Sequence, residues 1–308
     1  MVRLKVMSDA GYHDPVLLKE SVDQLIQDKN GVYVDVTFGG GGHSRKVLSV
    51  LGNEGKLIAF DQDEDAHKNS IDDERFVLVK ANFRYLKNNL RFLGINRVDG
   101  ILADLGVSSH QFDKADRGFS IRYDGRLDMR MGKTTTLTAE KVVNSYSLED
   151  LTKILKEYGE INRSGRIAAE LINLREENKF ETTGQLVQAL EKFFPVTKRK
   201  QGMAKIFQAI RIEVNDELKV LKEFLSQASE MLREGGKLVV ISYHSLEDRL
   251  VKRYMKTGNF EGEVEKDFYG NLIRPLTPKA GMPITPSEEE IEKNKRARSA
   301  KMRVAEKQ

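Results

Sequence analysis

A continuous apolar run that ends in an acid and then enters a glycine loop constrains this chain more than any other feature. The run starts at Val32, Asp35 closes it, and four consecutive glycines follow from Gly39 to Gly42. A strand of this kind suits a sheet that is covered on both faces, and glycines after it let the backbone approach a ligand without Cβ clashes. The segment therefore predicts a buried parallel strand with a ligand-binding loop at its carboxyl end.

A second apolar run, residues 56–60, ends at Asp61. This acid follows Gly41 by about 20 residues, the spacing at which an acid commonly meets the ribose hydroxyls of an adenosine cofactor. The glycines do not satisfy G-x-G-x-x-G, because Ser44 and Arg45 occupy the third glycine's positions. What remains is D-x-x-x-G-x-G, a loop typical of S-adenosylmethionine enzymes, although a plain glycine turn is the alternative interpretation.

Apolar runs alternate with amphipathic stretches from residue 32 onward. Strict alternation predicts parallel strands joined by right-handed helical crossovers, and hence a doubly wound α/β sheet with ligands at the carboxyl ends of its strands. Asp35, Asp61 and Asp104 all fall at such ends. The predicted strands are Val32 to Phe38, Leu57 to Phe60, Phe76 to Val79 and Val98 to Ala103, and the predicted helices between them are Ser44 to Leu51, Glu64 to Ser70 and Phe83 to Phe92.

The alternation stops after Asp104 and resumes at the apolar run 237–243, while apolar residues three and four apart predict helices between them. We therefore predict a mostly parallel sheet domain from residues 1–111 and 214–308, interrupted by an inserted all-helical domain at 112–213. A helix from Asn215 to Arg233, stopped by Gly235, leads back into the sheet. Near the end, 260–273 suits a hairpin, 275–290 a loop and 300–305 a last strand.

Composition excludes several function classes. The 308 residues include no cysteine, so disulfides, thiolate metal sites and cysteine nucleophiles are all excluded. No apolar run approaches the roughly 18 residues of a membrane span, and we expect a cytoplasmic protein with no membrane partner. The net charge of +4 permits a nucleic-acid partner without demanding one, and residues 112–213 contain 19 Lys and Arg against 15 Asp and Glu, the whole chain's excess.

Chemistry is expected just past the fourth strand. Methyl transfer from a sulfonium is an in-line displacement, so the protein must align the acceptor and complement the changing charge. If the acceptor is an exocyclic amine, the carboxylate of Asp104 and the carbonyl of Gly106 are placed to accept its N–H bonds, with Ser108 beside them. In the alternative interpretation, Asp104 caps a turn and Ser108 starts a helix.

Two further segments carry reactive or basic side chains. Residues 242–249 follow the fifth strand and offer His244 and Arg249 to the same crevice, unless they simply form a capped helix start in which Ser245 and Asp248 satisfy the free amides. The inserted segment interleaves basic and aromatic residues, which suits RNA phosphates and splayed bases, although a solvated surface is the plainer alternative. These residues are Arg117, Phe119, Arg122, Tyr123, Arg126 and Arg130.

Motifs spread along nearly the whole chain resemble one family, the bacterial small-subunit ribosomal RNA methyltransferase H or MraW proteins. They include His13-Asp14-Pro15-Val16-Leu17-Leu18, Thr37-Phe38-Gly39-Gly40-Gly41-Gly42-His43-Ser44, Asp104-Leu105-Gly106-Val107-Ser108-Ser109, Arg117-Gly118-Phe119-Ser120, Leu127-Asp128-Met129-Arg130-Met131, Gln208-Ala209-Ile210-Arg211-Ile212, His244-Ser245-Leu246-Glu247-Asp248-Arg249 and Arg296-Ala297-Arg298-Ser299-Ala300-Lys301. The resemblance implies a class I, Rossmann-like methyltransferase that uses S-adenosylmethionine to methylate N4 of a cytosine in the decoding region of 16S ribosomal RNA.

The resemblance also assigns cofactor contacts to Gly41, Gly42, His43, Asp61, Phe83, Asp104 and Gln111. Leu105, Gly106 and Val107 replace the two prolines and the aromatic of the Asp-Pro-Pro-Tyr loop in amino methyltransferases. The residue that stacks on the base is therefore unassigned, with Phe119 or Tyr123 as candidates. Carbon-5 methylation needs a thiolate and radical methylation a cysteine-held cluster, so amine methylation is the route left to a chain without cysteine.

Alternatives remain at this point. A DNA or small-molecule amino methyltransferase fits the same loop, and a noncatalytic RNA-binding assembly factor could retain cofactor affinity. We expect no metal, because the five histidines show no ligand spacing. The expected partner is 16S ribosomal RNA within the small subunit, and a homodimer is not excluded.

Overall fold

The computed structural model describes residues 15–132 and 135–308, so His13 and Asp14 of the first motif lie outside the described residues. One seven-stranded sheet has the order β3-β2-β1-β4-β5-β7-β6. Its strands are β1 Val32–Asp35, β2 Lys56–Asp61, β3 Phe76–Lys80, β4 Val98–Asp104, β5 Leu232–Ser242, β6 Leu276–Pro278 and β7 Lys301–Lys307. β1 to β5 are parallel, and β7 pairs antiparallel with both β5 and β6.

This topology confirms the predicted doubly wound, mostly parallel sheet. The chain builds outward from β1 through β2 to β3, then returns to the other side of β1 with β4 and β5. The order of strands therefore reverses between β1 and β4. Ligands of open α/β sheets bind in the crevice outside the carboxyl ends of the strands at such a switch point, and here Asp35 and Asp104 end the two strands concerned.

Alternate residues of the central strands face opposite sides of the sheet, as their period of two requires. Val34, Ile101 and Leu238 belong to one buried cluster, whereas Tyr33 and Leu102 belong to the cluster on the other face. Helices cover both faces, and none in the described residues combines the length and apolar character of a bilayer-spanning segment. The α-helices before β4 that flank the sheet are α1 Leu18–Leu25, α2 Gly42–Val50 and α3 Leu86–Phe92.

A third buried cluster is formed by the residues between β4 and β5. It runs from Phe119 to Val214 and includes fully buried Leu127, Ile167 and Ile206. The helices of this interval are α4 Ser109–Asp113, α5 Ala139–Ser145, α6 Leu148–Glu157, α7 Ser164–Glu177, α8 Thr183–Leu190 and α9 Arg199–Asn215. Residues 118–132 contain no helix, so the inserted segment is not helical throughout.

The remaining helices are α10 Glu217–Met231, α11 Ser245–Thr257 and α12 Glu288–Lys293. The predicted helix from Asn215 begins instead at Glu217, because Asp216 adopts a left-handed conformation (φ 52°) that separates α9 from α10. The segment 275–290 is not only a loop, since Leu276 is buried and β6 pairs with β7. Three residues are too few for alternation to reveal such a strand.

Candidate functional site

The loop after β1 is fixed by the acid that ends the strand. Asp35 is buried, and its carboxylate accepts hydrogen bonds from the hydroxyl of Ser44 (2.7 Å) and the amide of Thr37 (3.1 Å). Thr37 in turn accepts the amide of Asp104 through Oγ1 (2.7 Å). The carboxyl ends of β1 and β4 are therefore tied together through side chains, which sets the floor of the crevice at the switch point.

Gly41 makes the turn from this loop into α2. Its φ is +76°, and a Cβ there would stand 2.8 Å from the ring of Phe38, so the position suits no residue with a side chain. Gly42 opens α2 against Pro15, and a Cβ on Gly42 would overlap the proline ring. The glycines thus let the loop fold tightly over the end of β1, where the cofactor contacts of Gly41 and Gly42 were predicted.

Asp61 ends β2 beside this loop. Its two carboxylate oxygens accept the amides of Gly39 and Asp63, both at 2.8 Å. Burial raises the pKa of Asp61 to about 6, although the two amides act to lower it. A carboxylate so placed holds the loop in position and gains from any further O–H donor, because additional hydrogen bonds favour its charged form. The structure thus gives Asp61 the setting expected of a ribose-binding acid.

Asp104 ends β4 in partly buried, polar surroundings. Its Oδ2 lies 3.8 Å from Nδ1 of His43, and its Oδ1 is buried without a hydrogen-bond partner among the described residues. Burial raises the pKa of this carboxyl, and the nearby His43 and the hydroxyl of Tyr243 act against that rise. A buried carboxylate oxygen without a donor is costly unless a ligand supplies one.

The hydrogen bonding of the His43 ring leads to the same conclusion. Its Nε2 lies 3.2 Å from the carbonyl of Val16, and a carbonyl can only accept, so Nε2 carries a proton. In the neutral ring, Nδ1 is then an acceptor that faces the acceptor Oδ2 of Asp104. A ligand amino group that donates to both atoms would satisfy the pair.

Tyr243 closes the other side of Asp104. It follows β5, and its ring packs so tightly over Gly106 that a Cβ at residue 106 would come within 2.8 Å of the ring. Burial and the carboxylate of Asp104 raise the pKa of the Tyr243 hydroxyl well above its ordinary value. The exposed backbone of Gly106 therefore lies beside an aromatic ring from the neighbouring strand, although no aromatic follows Asp104 in sequence.

Gln111 is buried, and its amide joins the cofactor side to the inserted segment. Its Nε2 donates to Asp63 (2.7 Å), whose carboxylate also accepts the amide of Asp65 (3.1 Å) and pairs with Arg117 at 2.9 Å. Arg117 also donates to the carbonyl of Arg130 (3.0 Å). Arg117 thus connects the loop after β2 with the inserted segment, and its charge is already paired.

Phe83 is half-buried in a short turn after β3, where its ring meets the edge of Phe224 with centroids 5.3 Å apart. Ser108 caps α4, because its hydroxyl accepts the amide of Gln111 (3.2 Å). The plainer interpretation of Ser108 therefore describes its contacts in the structure, while a role in catalysis stays a prediction.

His244 and Glu247 form the capping box of α11, rather than Ser245 and Asp248. Nδ1 of His244 accepts the amide of Glu247 (3.4 Å), and Glu247 accepts the amide of Tyr243 (2.9 Å). Asp248 instead pairs with Arg303 of β7 at 2.6 Å. A histidine seldom caps a helix, so residue type alone gave no indication of this arrangement.

Glu217, His244 and Glu247 are the one group of three ligand-type side chains in the described residues whose atoms lie within 4.8 Å of one another. Two hydrogen bonds of 2.8 Å from Arg211 already cover Glu217. Nδ1 of His244 accepts a hydrogen bond, and its Nε2 faces the carboxylate of Glu247 at 3.1 Å. With Arg211 the three side chains form a partly buried polar network, and the absence of a metal stays a prediction.

The basic residues of the inserted segment differ sharply in their surroundings. Arg130 makes two hydrogen bonds to Asp128, at 2.8 and 2.7 Å, and Phe119 is buried in the third core cluster. Arg122 is exposed, and Tyr123 beside it is 53% exposed. Of the two aromatics considered for stacking on a base, only Tyr123 therefore offers an accessible ring face.

Arg249, in α11, forms an ion pair with a residue of the inserted segment. It meets Glu160 at 3.1 Å, and Ser245 donates to the same carboxylate at 3.0 Å. Glu160 has a positive φ of 48°, a conformation that few residues other than glycine adopt. The start of α11 and the inserted segment are thus joined at the carboxylate of Glu160. No pattern in the sequence indicated this contact.

The sequence analysis also left out Asp63 and did not select Tyr243 for the site. Asp63 belongs to Asp61-Gln62-Asp63, and a second acid two residues after a strand-ending acid was a usable signal. Tyr243 stood within the segment after the fifth strand, but its contact with Gly106 depends on how β4 and β5 pair.

Comparisons with known proteins agree over nearly the whole chain. The model of the MraW methylase family matches residues 10–308. A relative from Flavobacterium psychrophilum named Ribosomal RNA small subunit methyltransferase H is 58% identical over 291 residues, covering 94% of this chain and 100% of the relative. Relatives of the same name from Christiangramia forsetii and Bacteroides fragilis are 55% and 54% identical over 296 residues, which are 96% of this chain and 98% and 97% of theirs.

Proposed function

The chain belongs to the MraW methylase family, and from this premise we propose that it methylates the exocyclic N4 of a cytosine in the decoding region of 16S ribosomal RNA. It is an S-adenosylmethionine-dependent methyltransferase. The name of its relatives supports ribosomal RNA of the small subunit as the substrate. A cytoplasmic location, where subunits are assembled, is part of the same proposal.

The observation that carries the amine acceptor is the buried, donor-free oxygen of Asp104 at the switch point. An exocyclic amine brings N–H donors and develops positive charge as it is methylated. A carboxylate at that position stabilises this charge more strongly than a neutral acceptor would. The lack of any cysteine further supports an amine over carbon-5 of cytosine.

The residues at the sheet edge fit S-adenosylmethionine. Asp61 would take the ribose hydroxyls, and the paired acceptors of His43 and Asp104 suit an amino group. Gly41 and Gly42 shape the loop over β1, with Phe83 and Gln111 at the flanks. When bound, the sulfonium of the cofactor supplies an electrophilic methyl group.

The chain's own residues supply position and charge. The hydrogen bond from the amide of Asp104 to Thr37 fixes the end of β4 relative to the loop after β1. Tyr243 and His43 enclose the carboxylate of Asp104 on two sides, which keeps it in low-dielectric surroundings where its effect on a developing charge is large.

We further propose that residues 112–213 form the substrate domain. Arg122 and Tyr123 are its accessible cation and ring, and the third core cluster gives the segment its own support. Guanidinium groups bind phosphates and exposed rings stack on unpaired bases. The paired Arg117, Arg130 and Arg249 hold the segment in place instead, and buried Phe119 belongs to its core.

The test is to incubate purified protein with S-adenosylmethionine bearing a labelled methyl group and with small ribosomal subunits lacking the modification. Mass spectrometry of the digested RNA should find the label on one cytidine, with fragmentation that assigns it to the base amine. Duplex DNA and free nucleosides serve as competing substrates in the same assay. Label on carbon 5, or label on DNA but not on ribosomal RNA, would overturn the proposal.

A further inference from the structure

A hairpin far along the chain presents two aromatic rings to solvent. Residues 264–273, the tip hairpin, carry Phe268 and Tyr269, which are 97% and 85% exposed. The two rings meet edge to face with centroids 5.7 Å apart. Aromatic side chains this exposed are unusual on a folded chain and mark surfaces that bind a partner.

The tip hairpin is an ordered element. Its two arms join at the bridge between Lys266 and Leu272 and by the hydrogen bond from the amide of Ile273 to Glu265 (3.0 Å). The carboxylate of Asp267 accepts the amides of Tyr269 (2.9 Å) and Asn271 (2.8 Å). These bonds fix the turn that bears the rings, so a partner would meet a surface that is already organised.

The root of the hairpin is anchored to the sheet domain. Phe260 stacks on Tyr254 of α11 with centroids 4.9 Å apart, and Leu276 is fully buried directly after the hairpin. The anchored root and the ordered turn leave the exposed rings without a role in this chain's own core.

The charge around the rings identifies the chemistry of the partner. Residues 259–274 contain four acids and two bases, and Glu261, Glu263 and Glu265 are exposed without an ion pair among the described residues. The bases from other elements, Arg253 and Lys222, lie at the root beside Gly262 and Phe260. An acidic surface repels phosphate, which dominates affinity for nucleic acid. Two aromatic anchors with an acidic rim instead complement an apolar cleft bordered by lysine and arginine.

We propose that the tip hairpin docks into an apolar, basic-rimmed cleft on a protein component of the small ribosomal subunit. The inference rests on the proposed function, because that function brings the chain to this particle. Phe268 and Tyr269 provide the anchors. Glu265 in the first arm, together with Glu261 and Glu263 just before it, steers the encounter. The substrate is then recognised as an assembled particle, with RNA read by the inserted segment and protein by the tip hairpin.

The first experiment measures methylation kinetics on purified small subunits. The Phe268→Ser/Tyr269→Ser double variant should raise KM for the particle about tenfold and leave kcat unchanged, because anchors at interfaces act mainly on binding. Phe92→Ser is the matched control, since Phe92 is 90% exposed on a different element and should have no effect. An unchanged KM in the double variant would overturn the proposal.

A charge variant separates protein from RNA as the partner. Replacing Glu261, Glu263 and Glu265 by Gln should raise KM severalfold if the cleft is basic. The same change should lower KM if the hairpin lies against RNA, and that result would overturn the proposal.

Crosslinking then identifies the occupant. A benzoylphenylalanine in place of Tyr269 should give, on irradiation with purified small subunits, one adduct that resists ribonuclease and contains a ribosomal protein. An adduct with RNA or with a second copy of the chain would overturn the proposal. The activity of the wild-type protein on the same particles is measured in parallel. If it shows no activity, the proposed function is wrong, and that result is distinct from a failure of the hairpin proposal.

Discussion

Charged side chains have opposite surroundings in the crevice at the switch point and on the exposed face of the inserted segment. At the crevice, Asp35 is buried and Asp61 and Asp104 are partly buried; amides or a hydroxyl donate to the carboxylates of Asp35 and Asp61, and the backbone amide of Asp104 is tied to Thr37. On the inserted segment, Arg122 is exposed, and its side chain makes no hydrogen bond or ion pair among the described residues. A buried charge is strengthened by its surroundings and cannot move, whereas an exposed charge is weak and adaptable. The difference suits chemistry in one region and adjustable binding in the other.

The largest expected effect tests the crevice directly. Asp104→Ala should lower kcat about a hundredfold, since it removes a charge-assisted contact to the reacting amine. Asp72→Ala, an exposed carboxylate of the same domain, is the control and should leave kcat unchanged. Steady-state methylation with both substrates saturating makes the comparison. Near wild-type kcat in the Asp104 variant would mean that the crevice does not hold the reacting amine.

Next in size is a dependence of cofactor binding on pH. The ionised form of Asp61 accepts ribose hydroxyls, and its pKa is raised to about 6, so affinity should fall as pH drops through that value. Between pH 7 and pH 5 the dissociation constant should rise about tenfold, because the ionised fraction falls about tenfold. Calorimetry with S-adenosylhomocysteine measures this. Asp61→Asn should bind weakly at both pH values, and a wild-type affinity that is flat with pH would contradict the assignment.

A smaller effect is expected when the Tyr243 hydroxyl is removed. Tyr243→Phe keeps the ring over Gly106 but takes away a group that lowers the pKa of Asp104. We expect kcat to fall about fivefold, which corresponds to about 1 kcal/mol, the typical net contribution of one hydrogen bond. The acidic limb of the kcat profile should also move to higher pH, because the carboxylate becomes harder to ionise. A loss of activity with an unmoved limb would indicate a purely structural role.

The smallest effects should lie on the inserted segment. Tyr123→Ala and Arg122→Ala should each raise KM for the particle about threefold and leave kcat unchanged, since exposed contacts contribute little one at a time. Arg91→Ala, an exposed arginine of the sheet domain, is the control. Titration of KM against salt should show a shallower slope for Arg122→Ala alone, because only that variant loses a cation. A drop in kcat would place these residues at the reaction centre and remove the contrast between the regions.

The residues of the crevice could be predicted from the sequence because the patterns that identify them are local. An acid after an apolar run falls at the end of a strand, and parallel strands share one edge, so Asp35, Asp61 and Asp104 were brought together without coordinates. Contacts between distant segments were out of reach. The links of Asp63 to Arg117 and of Glu160 to Arg249 depend on how the inserted segment is seated on the sheet domain, which no periodicity encodes.

The same limit explains the surface residues. Arg117, Arg122 and Arg130 look alike in sequence, and only folding distinguishes the paired from the accessible. The sequence suggested a hairpin at 260–273 but not that its turn is well ordered. That order comes from hydrogen bonds to Asp267 rather than from alternation along the arms. Local patterns predict where elements lie, and tertiary pairing decides which of their side chains remain available.

The close approach of Gly106 and Tyr243 has an evolutionary consequence. Any side chain gained at position 106 collides with the phenol ring, so a lineage could acquire one only after shrinking or displacing residue 243. The two sites are distant in the gene yet should change in concert across descendants. Sequence collections should therefore contain glycine with a large aromatic, or a bulkier residue with a small one, and few mixed combinations.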